Sequence, residues 1–123
     1  MKRFVVGAVL AVLALVGATS PAYAQSSWSS CCISGVQASG TYSTSGGVTV
    51  MSGRVYDTGG DGKYVFLYVR FSTECCAHKI DNNNGVNTSV GFTLTTTSPH
   101  AEINECKKST FTVATCGGWK RIF

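Results

Sequence analysis

The sequence predicts an all-β domain: a small antiparallel β-sandwich stapled by three disulfides, with a barrel as the alternative architecture. Three observations carry this expectation. No stretch beyond residue 24 repeats its apolar residues at helical spacing. Instead, β-branched and aromatic residues alternate with polar ones over short runs separated by glycine and asparagine. All 6 cysteines lie in this same region, an even number that suits a bridged scaffold. About seven short strands fit a sandwich or a barrel of this length.

The chain begins with a different kind of segment. Lys2 and Arg3 precede an apolar run of 13 residues from Phe4 to Val16, and Pro21-Ala22-Tyr23-Ala24 follows. A charged start, an apolar centre and an Ala-x-Ala site are the parts of a secretory signal peptide. The run is short of the roughly 20 residues that span a bilayer. Residues 1–24 are therefore expected to be removed on export, leaving residues 25–123, 99 of the 123, as one secreted disulfide-rich β domain. No cysteine stands at position 25 and no second apolar run follows, so no stable membrane anchor is expected.

Loss of Lys2 and Arg3 lowers the formal charge from +4 to +2. So small an excess gives no reason to expect a nucleic acid or an anionic membrane as partner.

Taken in order, the polar stretch from Gln25 to Ser30 reads as a lead-in pinned by Cys31 and Cys32. A strand is expected from Gly35 to Ser43. Val48 and Val50 alternate with Thr49 and Met51, and Gly53 is the candidate for a bulge that resets the register toward Val55. Asp57 to Gly62 reads as a polar hairpin connection whose glycines accept positive φ and whose aspartates bond to nearby amides.

From Lys63 to Ser72, Val65, Leu67, Val69 and Phe71 fill one face and Tyr64, Phe66 and Tyr68 the other, so the strand is either covered on both sides or open to a ligand. Ile80 to Gly85 ends in Asn-Gly, a signal for a tight hairpin turn. From Val86 to Thr96, Val86, Val90, Phe92 and Leu94 share one side and polar residues the other, the pattern of a strand with one wet face. Further strands are expected at Ala101 to Cys106, Ser109 to Thr115 and Trp119 to Phe123.

A domain of this size has a modest core, and each disulfide closing a long loop adds roughly 2–4 kcal/mol. Neighbouring residues on a strand face opposite ways. The vicinal cysteines are therefore expected to seek different partners, with Cys106 joined to Cys116 and Cys31-Cys32 tied to Cys75-Cys76.

Asp57-Thr58-Gly59 is the tripeptide of aspartic proteases, which need two carboxylates sharing a proton. An aspartic-type protease using Asp57 is an alternative that the rest of the sequence does not support, since it has neither a flap nor an apolar pair before a later glycine. Read as a calcium loop, the same stretch places Asp57 at position 1, Asp61 at 5 and Gly62 at 6, but Gly59 at 3 and Tyr68 at 12. Asp57 and Asp61 are thus the calcium candidates, with two ligand positions of such a loop unfilled.

The string Gly53-x-Val55-x-Asp57-Thr58-x-x-Asp61-Gly62-x-x-Val65, running on to Phe71, resembles a pattern of small secreted actinobacterial proteins of unknown function. The resemblance spans about 20 residues and implies an exported β-sandwich with no attached activity.

Cys75-Cys76-Ala77-His78 carries zinc-type ligands, but in an oxidising compartment its thiols are expected to be spent on disulfides. No metal, cofactor or catalytic residue is assigned. Tyr64, Phe66, Tyr68 and Trp119 form the candidate binding surface, suited to stacking on a carbohydrate or anchoring a protein. The expected function is a non-enzymatic extracellular binding or structural module. A secreted effector, a protease inhibitor or an antimicrobial toxin, is the alternative, and a protruding loop from Lys107 to Thr115 between Cys106 and Cys116 would favour inhibition.

Overall fold

The structure is a computed structural model that describes residues 24–123. The leader assigned to residues 1–24 lies outside the described residues apart from Ala24. Two antiparallel sheets face each other. The first has the order β1-β2-β3-β6, from β1 (Ser26–Ser29), β2 (Val36–Ser45), β3 (Val48–Asp57) and β6 (Thr88–Thr96). The second has β5 (His78–Asn82), β4 (Tyr64–Phe71), β7 (Ala101–Lys108) and β8 (Thr115–Cys116) in that order, with β9 (Lys120–Arg121) also pairing with β7. The predicted sandwich forms and the sheets do not close into a barrel.

The core lies between the sheets. Trp28, Val36, Ala38, Met51 and Val55 come from the first, and Val65, Leu67, Val69, Phe71, Ala101 and Ile103 from the second. Period-two alternation puts these residues on the inner faces and leaves Val48 and Val50 exposed. The expected bulge at Gly53 is absent. β3 keeps one register against both neighbours, with Gly53 opposite Gly40 and Phe92, so Thr49, Met51 and Val55 face the core without a reset. The glycine serves packing instead, because the ring of Trp28 occupies the space above it. That contact makes β1 an ordered strand, where the serine-rich sequence predicted only a lead-in.

β2 and β3 meet in a two-residue turn at Gly46-Gly47, whose φ values of 58° and 78° are those of the tight turn that matches strand twist. The two expected hairpins elsewhere are crossings between sheets. Asp57 to Gly62 leads from β3 in one sheet to β4 in the other, and Asn83 to Asn87 leads from β5 back to β6. Their positive-φ residues, Gly62, Gly85 and Asn87, bend the chain across the sandwich rather than back along a neighbour. Asn82 anchors the second crossing from within, donating to the carbonyls of Val55 and Thr88 and accepting from Asn84 N and Thr88 Oγ1.

The disulfides are Cys31–Cys32, Cys75–Cys76 and Cys106–Cys116, and no described cysteine is free. The Cys106–Cys116 pair is as expected; the cross-link between the two vicinal pairs is not formed. The premise of opposite faces applies to strands, and both vicinal pairs sit in connections, between β1 and β2 and between β4 and β5. They also stand at different places along β7. Cys31 and Cys32 bond to Glu105, whereas Cys75 and Cys76 follow Phe71, which pairs with Ala101. Among the described residues no helix is long and apolar enough to cross a membrane.

Candidate functional site

β4 supplies one wall of the candidate site. Its even-numbered residues through Arg70 point away from the core, placing Tyr64, Phe66 and Tyr68 in a row with ring centroids 6.3 and 5.4 Å apart. Phe66 is only 2 % exposed despite facing outward, because Lys79 Nζ lies 4.5 Å above its ring and buried Cys106 is its cross-strand neighbour. Tyr64 and Tyr68 are half-buried. Trp119 joins the same face 6.4 Å from Tyr68, but the Arg70 guanidinium sits 3.8 Å over its ring. The four predicted residues are therefore brought together, without forming the open aromatic platform that a flat ligand would require.

The second wall is the chain between the bridged cysteines. Pairing of Cys106 with Cys116 and of Lys107 with Thr115 leaves residues 108–114 to reverse direction. Residues 109–112 do so in a turn closed by Thr112 N donating to Ser109 O at 3.3 Å and by the Ser109 and Thr112 hydroxyls at 2.5 Å. The strand expected from Ser109 to Thr115 is therefore reduced to Thr115–Cys116. In that geometry the alternating Phe111 and Val113 cannot reach a core, and they stand 97 % and 90 % exposed. Between this loop and β4 lies a recess of about 580 Å³ with Lys79 and Lys108 at its lining. The protruding loop expected between Cys106 and Cys116 forms, and Phe111 and Val113, whose alternation also suits the strand expected from Ser109 to Thr115, are its exposed apolar residues.

The other candidates resolve locally. Asp57 ends β3, is 1 % exposed and accepts from Gly59 N at 3.2 Å. Asp61 accepts from Lys63 N at 3.2 Å and lies 3.8 Å from Lys107 Nζ. Both carboxylates bond within their own connection, as a turn requires, and neither joins a group of three metal-type ligands among the described residues. His78 pairs with Glu74 at 3.1 Å, and Glu74 also accepts from Thr96 Oγ1 at 2.6 Å. The bond from Thr96, then that from His78, holds the Glu74 carboxyl below its ordinary value. His100 lies against Arg121.

The one described cluster of metal-type ligands is Cys31, Cys32 and Glu105, which no sequence motif brought together. Compared with protein-family models, curated proteins and solved structures, the chain finds no match in any of the three.

Proposed function

We propose that the mature chain is an extracellular, non-enzymatic binding module that grips a protein partner between the outer face of β4 and the loop of residues 109–114. The observation that carries this reading is the near-complete exposure of Phe111 and Val113 on a loop closed by a disulfide. Burying a phenylalanine side chain is worth about 1.5–3 kcal/mol, which goes unused in the free chain. A loop already restrained by a bridge loses less freedom on binding. The leader and the oxidised cysteines support export.

A protein partner fits better than a sugar, since Lys79 covers Phe66 and Arg70 covers one face of Trp119. The folded turn at residues 109–112 disfavours a substrate-like inhibitor loop, which would enter a protease cleft as an extended strand.

The test is selection from a random peptide library on immobilised residues 25–123. Apolar and aromatic peptides should be enriched, and their affinity should fall at least tenfold in the Phe111→Ser/Val113→Ser protein. Equal binding to that variant would overturn the reading. So would retention on polysaccharide that depends on Tyr64 and Tyr68 instead.

A further inference from the structure

We propose that Cys31, Cys32 and Glu105 form a zinc site that the Cys31–Cys32 disulfide keeps closed and that a dithiol reductant opens. The proposal is independent of the binding surface just described. The two sulfurs and a carboxylate oxygen already lie within 4.8 Å of one another. Ligand atoms about 2.0–2.3 Å from a tetrahedral zinc stand roughly 3.5–4 Å apart, so small side-chain rotations would bring these three into range.

Glu105 is the unusual member. Inward-facing residues of β7 run Ala101, Ile103, Glu105, Lys107, and Glu105 is 3 % exposed. Its carboxylate accepts from Cys31 N at 3.3 Å and from Cys32 N, and among the described residues it makes no ion pair. A buried carboxylate balanced only by amide dipoles is costly. Each of its oxygens keeps a second lone pair for a cation.

The cysteines supply the rest. Both are exposed, so a reductant can reach them. One thiolate of the dithiol attacks a sulfur of the pair, the S–S bond breaks, and the second thiol of the reductant resolves the mixed disulfide. Two electrons and two protons pass to Cys31 and Cys32, and the reductant leaves as its own disulfide. Zinc then displaces the two thiol protons and takes both thiolates and the Glu105 oxygen, with water as the fourth ligand. The Cys75–Cys76 pair serves as an internal control, because its neighbour Glu74 is committed to Thr96 and His78.

The test reduces residues 25–123 with dithiothreitol, removes the reagent without oxygen, and titrates cobalt(II) as a spectroscopic stand-in for zinc. One equivalent should bind with a thiolate-to-cobalt charge-transfer band, while the oxidised protein shows none. The Cys75→Ser/Cys76→Ser protein should keep the band, Cys31→Ser and Cys32→Ser should lose it, and Glu105→Gln should weaken binding at least tenfold. Should Glu105→Gln fail to fold, the two single cysteine variants decide. Absence of the band, its survival in Cys31→Ser and Cys32→Ser, or its appearance only as the β-sheet circular dichroism is lost would overturn the site.

Discussion

Trp28 occupies the volume that a side chain at position 53 would need. A Cβ built on Gly53 runs into Cζ2 of the indole and comes within 2.5 Å of the Ser39 carbonyl oxygen. The indole is held in place by Nε1 donating to Ser52 O at 3.1 Å and by Phe92, whose ring centroid is 5.9 Å away. Gly53→Ala must therefore either displace Trp28 or strain the β2–β3 ladder. A loss of about 2–3 kcal/mol is expected, measured by urea unfolding, with a red shift of tryptophan emission if the ring is the part that yields. An unchanged midpoint would mean that β1 is not docked as described.

Asn82 joins the two sheets where the chain crosses between them. Its amide uses both donors, on Val55 O and Thr88 O, and its oxygen accepts two bonds. Asn82→Ala takes the side-chain donor from the Val55 and Thr88 carbonyls of the first sheet and the acceptor from Asn84 N in the crossing, at a cost of about 2–3 kcal/mol. Asn82→Asp should be worse at neutral pH, because a carboxylate would face two carbonyl oxygens. Chemical denaturation of the two variants at one pH checks both the loss and its order.

Glu74 gives a pH dependence with a definite sign. The bond from Thr96, followed by that from His78, lowers its folded-state pKa from 4.5. A carboxyl depressed in the folded state adds stability above its unfolded value, and that addition is lost as pH falls through the folded value. The connection carrying Cys75 and Cys76 should thus be clamped above about pH 4.5 and loosen below it. The group is exposed, so the change in overall stability should be small. Carboxyl resonances followed by NMR are the suitable measurement. Thr96→Val should move the Glu74 titration back up toward its ordinary position; an unmoved titration would show that Thr96 does not hold the carboxylate.

The sheets were legible wherever burial alternates along the chain: Val65, Leu67, Val69 and Phe71 on β4, and Val90, Phe92 and Leu94 on β6, face inward as their spacing predicts. Pairing was less legible. Turn residues reveal that the chain bends, and Gly62 and Gly85 do bend it, but their chemistry is the same whether the next strand joins the same sheet or the opposite one. β5 was missed because His78 to Asn82 carries one aliphatic residue, Ile80, and is held by its ladder to β4. The vicinal disulfides eluded a strand-based rule because their cysteines lie between strands. The shared face of Tyr64, Phe66 and Tyr68 was legible from alternation, whereas Phe111 and Val113, within the loop expected between Cys106 and Cys116, also mimic strand alternation.

The loop of residues 109–114 allows stability and binding to be separated. Phe111 is as exposed in the folded chain as it would be unfolded, so Phe111→Ala should change the unfolding free energy by no more than about 0.5 kcal/mol. The Cys106–Cys116 bridge closes a loop with a sequence separation of 10. The chain-entropy argument assigns it about 2–3 kcal/mol, and Cys106 is fully buried beside Phe66. Cys106→Ala/Cys116→Ala should therefore lower stability by roughly that amount and release the turn at residues 109–112. If the loop recognises its partner as a preformed shape, this double variant, assayed at a temperature where it remains folded, loses peptide binding although Phe111 and Val113 are intact. Binding that survives opening of the bridge but not Phe111→Ala would make the loop a flexible apolar anchor, and the disulfide would then act through stability alone.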